Sequence, residues 1–177
     1  MYLCHKHLII RDALVSDAAL LCQWWNDGAV MEHAGFPQGI HTTIEQVTAQ
    51  ILQETGPKYR LIIESHQTPI GEMCYQNMGN HTAQIGIKIC ELSFQNHGLG
   101  SEILSLFCKS LFEDYGFTKI ILDTMLENKR AQHVYEKLGF VQTAINRDCW
   151  QDQTGKMRTS IDYTLLPSNF SPVIHLS

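Results

Sequence analysis

Gly98 and Gly100 stand one residue apart in SFQNHGLGSEILSLF (Ser93 to Phe107), at the mouth of an amphipathic run. A glycine pair in that place makes an anion site. The first N–H groups of a helix have no intrahelical acceptor, and the helix dipole adds to their positive character. A missing Cβ then lets a phosphate close on the main chain. The same pair equally suits a helix start that needs a positive φ or tight packing. Spacing excludes two familiar phosphate loops. A Walker loop needs Gly-Lys-Ser/Thr where this chain has Gly100-Ser101-Glu102, and a dinucleotide fingerprint needs a glycine at 103, which is isoleucine.

A second stretch able to do chemistry is ENKRAQHVYEKLGF (Glu127 to Phe140), where Asn128 is placed to cap a helix and Tyr135 brings a phenol to its apolar side. Metal chemistry has little support. His5 and His7 share a spacing but lack a third ligand, the other histidines (His175 among them) are dispersed, and no HExxH pair occurs. Cys4, Cys22, Cys74, Cys90, Cys108 and Cys149 form no CxxC, and most have apolar or strand-like neighbours, so they read as reduced, buried thiols.

These residues must be held by a framework, and hydrophobic periodicity outlines it. HLIIRDA (His7 to Ala13) reads as the opening strand, and Ser16 as the N-cap of a helix through DAALLCQWWN. GFPQG (Gly35 to Gly39) is a loop, and Thr43 with Gln46 has the spacing of a capping box for a second helix. YRLIIES, PIGEMCYQ and TAQIGIKIC follow as strands joined by short turns, which favours antiparallel pairing. Leu99, Ile103, Phe107 and Leu111 form a helical stripe after the glycines, and KIILDTM is a further strand. The helix capped by Asn128 ends at Gly139, and FVQTAINRDCW with MRTSIDYTLL reads as a closing hairpin. The expected order is β-α-α-β-β-β-α-β-α-β-β, an α/β chain.

Composition narrows the partners. With 177 residues and 44% hydrophobic content the chain reads as one domain, residues 1–177, with residues 166–177 as a tail. A formal charge of -5 argues against nucleic acid as a partner and suits a positively charged substrate such as a polyamine, an aminoglycoside or a basic peptide. No stretch approaches a membrane span or a signal peptide, so the expectation is a cytoplasmic protein without a membrane partner.

Gln95, Gly98 and Gly100 form Gln-x-x-Gly-x-Gly after a strand and at the opening of a helix. One strand later, Asn128, Ala131, Tyr135, Glu136, Lys137, Gly139 and Phe140 form Asn-x-x-Ala-x-x-x-Tyr-Glu-Lys-x-Gly-Phe. In this order the two motifs resemble the GNAT superfamily of acetyl-CoA-dependent N-acetyltransferases, with the ribosomal-protein and aminoglycoside branches nearest in pattern. The resemblance implies the GNAT fold, a mixed and mostly antiparallel central sheet flanked by helices. It also implies acetyl-CoA as donor cosubstrate, no metal, and direct transfer to an amine, either a small molecule or a protein N-terminus. A homodimer is left open.

Carried over by residue, the resemblance implies that main-chain groups of Lys88, Ile89 and Cys90 pair with pantetheine. The loop opened by Gln95, with the N–H groups of Asn96, His97, Gly98, Leu99, Gly100 and Ser101, would hold the pyrophosphate. Asn128 would touch the cosubstrate, and Tyr135 would protonate the departing thiolate. Asp123 stands where the ribosomal-protein branch has a glutamate base, and Glu72 competes for that role. Each has a plainer reading: Tyr135 as a core aromatic, Asp123 as a solvent-facing residue, and Glu32 as either a pocket wall or surface charge. A CoA-binding module without catalysis is the alternative function, and a nucleotide-binding domain is a more distant one.

Overall fold

A computed structural model of the chain describes residues 1–53 and 58–174. The chain opens on a hairpin rather than one strand: β1 (Tyr2–His5) pairs antiparallel with β2 (Leu8–Asp12). Ser16 does not cap the next helix. A turn at Val15–Asp17 precedes α1 (Ala18–Asn26), and the Asp17 carboxylate reaches backward to the Leu14 N–H at 2.8 Å and to Arg11 at 2.7 and 2.9 Å. A short α2 (Gly28–Met31), absent from the expected order, follows. The capping box forms at α3 (Ile44–Gln53): the Thr43 N–H donates to Gln46 Oε1 at 3.0 Å, and the Gln46 N–H donates to Thr43 Oγ1 at 3.3 Å.

β3 (Lys58–Ser65), β4 (Thr68–Asn77) and β5 (Thr82–Ile89) form the antiparallel meander that the short turns require. Then come α4 (Leu99–Glu113), β6 (Lys119–Met125), α5 (Lys129–Lys137) and the hairpin of β7 (Val141–Gln151) with β8 (Met157–Leu165). One eight-stranded sheet runs β1-β2-β3-β4-β5-β6-β8-β7, mixed and mostly antiparallel, with β5–β6 as its parallel pair.

Side-chain alternation assigns the sheet's two faces. Ile62 packs in front with Leu21, Trp25 and Val47 of α1 and α3. Leu61, Ile63, Ala83 and Leu122 pack behind with Ile103 and Phe107 of α4. The tail as far as Ile174 also docks behind: the Val173 N–H donates to Ser105 Oγ at 3.0 Å, and Phe170 lies edge-on to Phe112. His175 and the last two residues lie outside the described residues. All six cysteines are unpaired, but only Cys90 and Cys108 are fully buried, while Cys4 and Cys149 are exposed. No helix of the described residues is long and apolar enough to cross a membrane.

Candidate active site

The parallel pairing of β5 with β6 lasts for three residues, Thr82–Gln84 against Lys119–Ile121, and then stops. Beyond it the strands diverge, while β5 keeps its register with β4 as far as Ile89. A cleft of about 1310 Å³ opens at this fork and continues to the N-termini of α4 and α5 behind and to α1 and α2 in front. Its walls bring together Glu72, Lys88, Ile89, Gln95, Asn96, Gly98, Leu99, Gly100, Ser101, Asp123, Asn128 and Tyr135. Cys90 and His97 are not among its lining residues, and neither is Glu32, which is exposed beside the lining residues Met31 and His33.

Register decides which main-chain groups face the fork. In an antiparallel pair, alternate residues turn their N–H and C=O to the partner strand and the others turn away. The Cys90 N–H donates to the Ile70 carbonyl at 2.8 Å, which gives the even-numbered residues of this stretch to β4. Lys88 and Cys90 therefore spend their main chain inside the sheet, and the groups that look into the fork are those of Ile87 and Ile89. Sequence reading missed Ile87, although its odd spacing from Thr82, whose carbonyl accepts the Met78 N–H across the turn, turns its main chain away from β4. The Ile89 carbonyl already accepts from Gln95 Nε2 at 2.8 Å, and Arg130 Nη1 donates to Gln95 Oε1 at 2.7 Å. Gln95 thus ties the loop to both β5 and α5.

The two glycines of the loop separate cleanly. Gly98 has φ 79°, a left-handed conformation that the backbone itself demands. Gly100 is helical, and a Cβ built on it would meet only Ile89 Cδ1, at 3.9 Å. Nothing inside the chain requires a glycine there, so an absent side chain at 100 leaves open space over the N-terminus of α4. Ser101 and Glu102 N–H groups turn back to the Gly98 carbonyl at 3.0 and 3.4 Å; by helix geometry the N–H groups before them point out of the helix end. Residues that close the fork from the α5 side include Asn128, whose Oδ1 accepts the Ala131 N–H at 3.2 Å, and the cations Lys129, Arg130 and Lys137.

Tyr135 is 6% exposed, with Phe140 and Tyr163 rings 5.7 and 5.6 Å away. Burial, with help from the Asp123 and Tyr163 charges, pushes its phenol well above the ordinary value, so the ring keeps its proton at neutral pH. Asp123 stands on the front of β6, directly opposite Asp162 of β8. Desolvation first, and the Asp162 charge second, raise its carboxyl above the usual carboxylate range. Glu72 is the opposite case. Burial pushes its carboxyl up, but Lys88 Nζ at 2.8 Å, Arg60 Nη1 at 2.6 Å and Trp25 Nε1 at 2.9 Å hold it below the usual value.

The front end of the cleft has a roof built from a stretch that looks like a bare loop in the sequence. The Gln153 N–H and Nε2 donate to the Gly35 and Gly39 carbonyls, each at 2.9 Å, and the Gln38 N–H donates to Gln153 Oε1 at 2.9 Å. A Cβ at Gly35 would stand 2.4 Å from the Trp150 ring, so that glycine permits the close approach of the tryptophan. Trp150, Ala34 and Ile40 then line the cleft from above. Among the described residues no group of three or more His, Cys, Asp or Glu side chains is placed to hold a metal ion.

Residues 7–141 match the family model described as Acetyltransferase (GNAT) domain. No protein of curated function matches the chain by sequence. Among solved structures, the spermidine N-acetyltransferase from Vibrio cholerae in complex with CoA and spermine aligns with a TM-score of 0.84 at 19% identity, over 93% of this chain and 98% of that one. RimL, a ribosomal L7/L12 alpha-N-protein acetyltransferase in complex with coenzyme A, aligns with a TM-score of 0.82 at 17% identity, over 94% and 98%. The microcin C7 self-immunity acetyltransferase MccE, in complex with acetyl-CoA and AMP, gives 0.78 at 15%, over 92% and 93%. The family model spans β2, the fork, the glycine loop and the Asn128–Tyr135 helix as one unit, and so this chain belongs to the GNAT acetyltransferase family, as an acetyl-CoA-dependent N-acetyltransferase.

Proposed function

We propose that the chain carries an acetyl group from acetyl-CoA, bound at the fork and the glycine loop, directly to an amine held in the front of the cleft. The observation that carries the donor half is Gly100, a glycine that neither φ nor packing requires, above outward-pointing N–H groups of α4. The cations Lys129, Arg130 and Lys137 beside that space suit a phosphorylated ligand. Acetyl-CoA supplies an acyl group on a good leaving group; the rest is the work of this chain's residues. The Ile87 and Ile89 main chain offers an edge for an extended ligand to join as an added strand. The Ile89 N–H is the donor nearest to where a carbonyl oxygen in the fork would gain charge.

An amine attacks only as the free base, so its proton must leave, directly or through water. Asp123 is the better candidate to take it. Its carboxyl is raised and lines the cleft, whereas Glu72 has its oxygens engaged by two cations and an indole. Tyr135, held protonated at the fork, has the form an acid needs beside a departing thiolate. A purely CoA-binding module would have no use for that phenol, and thiol release on mixing acetyl-CoA with an amine separates the two functions.

Gly100→Val tests the donor site. Acetyl-CoA affinity by titration calorimetry is expected to fall by about 100-fold or more, since a branched side chain fills the space that the pyrophosphate needs. The melting temperature should stay close to that of the parent, because the Cβ meets nothing inside the chain closer than ordinary van der Waals distance. Normal affinity would remove the glycine loop from the donor site.

A further inference from the structure

A second cavity, of about 510 Å³, lies at the opposite end of the sheet from the cleft, lined by Tyr59, Tyr75, Asn77, Gly79, Tyr115 and Phe117. None of these six residues lines the cleft. Strand alternation puts the cavity on the back. Tyr59 pairs with Tyr75 across β3 and β4, in step with the pair of Leu61 and Met73 that packs behind. Tyr115 and Phe117 follow the end of α4 at Glu113 and wall the cavity from the helix side. The length of α4, about 22 Å for its 15 residues, separates it from the glycine loop.

Four of the six lining residues are aromatic. The Tyr59 and Tyr75 rings are stacked with centroids 4.7 Å apart, and Tyr115 and Phe117 stand at 69° and 78° to Tyr75, 6.0 and 6.3 Å away. Rings in two steep orientations offer a ligand between them faces as well as edges. Tyr75 is 5% exposed, whereas Tyr59 and Tyr115 are 38% and 44% exposed, so a buried base carries two accessible walls. The polar atoms are few. They are the phenol hydroxyls and the Asn77 amide, whose Oδ1 already accepts the Gly79 N–H at 2.9 Å, and no carboxylate lines the cavity.

The surroundings are negative. α4 ends two residues before Tyr115, and a helix C-terminus carries partial negative charge. Asp114 adjoins Tyr115, is exposed, and has no ion-pair partner among the described residues. Asp12 is engaged by the Met1 amine. Burial first, and then the charges of Asp12 and Asp114, hold the Tyr115 phenol above its ordinary value. The nearby lysines are turned away or paired: Lys58 lines the front cleft, Lys119 alternates with the back-facing Ile120, and Lys109 lies 3.8 Å from Glu113.

The geometry points to a second binding site in this chain, an aromatic pocket for a small quaternary ammonium compound. Ring faces attract a cation, and a fully methylated nitrogen asks for no hydrogen-bond acceptor, which rings do not supply. A primary ammonium is strongly hydrated and would exchange its water for walls with few acceptors. The ligand class thus differs from the amine that takes the acetyl group.

Choline is the probe. Its controls are ethanolamine, which has a primary ammonium, and 3,3-dimethylbutan-1-ol, the neutral carbon isostere of choline. Binding is read by calorimetry and by amide chemical shifts. Choline is expected to bind about tenfold more tightly than either control, the factor that a partly desolvated cation–π contact supplies. The largest shifts should fall at Tyr59, Tyr75 and Tyr115. Tyr59→Leu and Tyr115→Leu should each weaken choline by about fivefold, while Tyr59→Phe, which keeps a ring, should stay within about twofold of the parent. Both leucine changes are at partly exposed positions, so melting temperatures should stay close to the parent's. Equal or better binding of the isostere or of ethanolamine overturns the proposal. So do an absence of choline binding, shifts centred on the fork, and choline affinity that survives both leucine changes.

Discussion

The two ends of the cleft are built in different ways. At the donor end, one loop and two helix starts supply almost every group: Gln95 to Ser101 are consecutive, and Asn128 to Tyr135 lie on a single helix. At the acceptor end no two of the key side chains are neighbours in the chain. Trp25, Arg60, Glu72 and Lys88 come from α1, β3, β4 and β5, and Asp123 and Trp150 come from β6 and β7. Local backbone geometry makes the first end, and sheet register makes the second. The first can be read as a motif and tolerates variation elsewhere, whereas the second changes whenever a facing residue changes.

The largest expected effect bears on how strongly the acceptor end is coupled to the sheet. Glu72→Gln takes a buried counter-charge away from Arg60 and Lys88, and should cost about 3–5 kcal/mol in denaturant unfolding. The pH dependence has a definite sign. The Glu72 carboxyl lies lower in the folded protein than its unfolded value, so its contribution is complete above that unfolded value, about 4.3. It is lost as pH falls through the folded value. The variant should therefore show a flatter acid limb of stability than the parent. Unchanged stability would mean that the cluster is not a structural unit, and would weaken the contrast between the two ends.

Tyr135→Phe asks whether the donor end does chemistry or only binds. The ring stays packed between Phe140 and Tyr163, so folding and acetyl-CoA affinity should hold within about twofold. Turnover is expected to fall by about 100-fold, about 2.7 kcal/mol of barrier, if the phenol is the acid. Equal turnover would return Tyr135 to the status of a core aromatic.

How much can be read from the chain follows the same line. The strands of the meander, the capping box at Thr43, the cap at Asn128 and the closing hairpin all rest on residues within a few positions of each other, and they are legible. The opening hairpin is not, because β1 is a four-residue edge strand with alternating partial exposure, too short for a periodic signal. Ser16 misleads because Arg11, outside the window of a local cap, pulls the neighbouring Asp17 backward. Arg60 and Glu72 cannot be paired from the chain alone, since their meeting depends on the Ile62–Glu72 register of β3 with β4. The family resemblance makes Lys88 a main-chain contact, and register shows that its side chain is the part exposed to the cleft.

The smallest effect is the most discriminating for the base. Asp162→Asn removes the like charge opposite Asp123 while keeping an oxygen able to accept from Asn146. Like charges directly opposed across two strands are destabilising, so the variant should gain about 0.2–1 kcal/mol near neutral pH. Asp123 binds its proton more tightly folded than unfolded, so the pair's cost is present above the raised value and vanishes as pH falls through it. The gain should therefore shrink in acid. In the pH profile of kcat/KM, a base must be deprotonated, and the acidic limb turns at its pKa. Without the Asp162 charge the Asp123 carboxyl titrates lower, and the limb should move to lower pH. If the stability gain appears and the limb stays in place, Asp123 does not take the proton. The base would then be Glu72, whose partners on β3 and β5 are untouched by the change, or water.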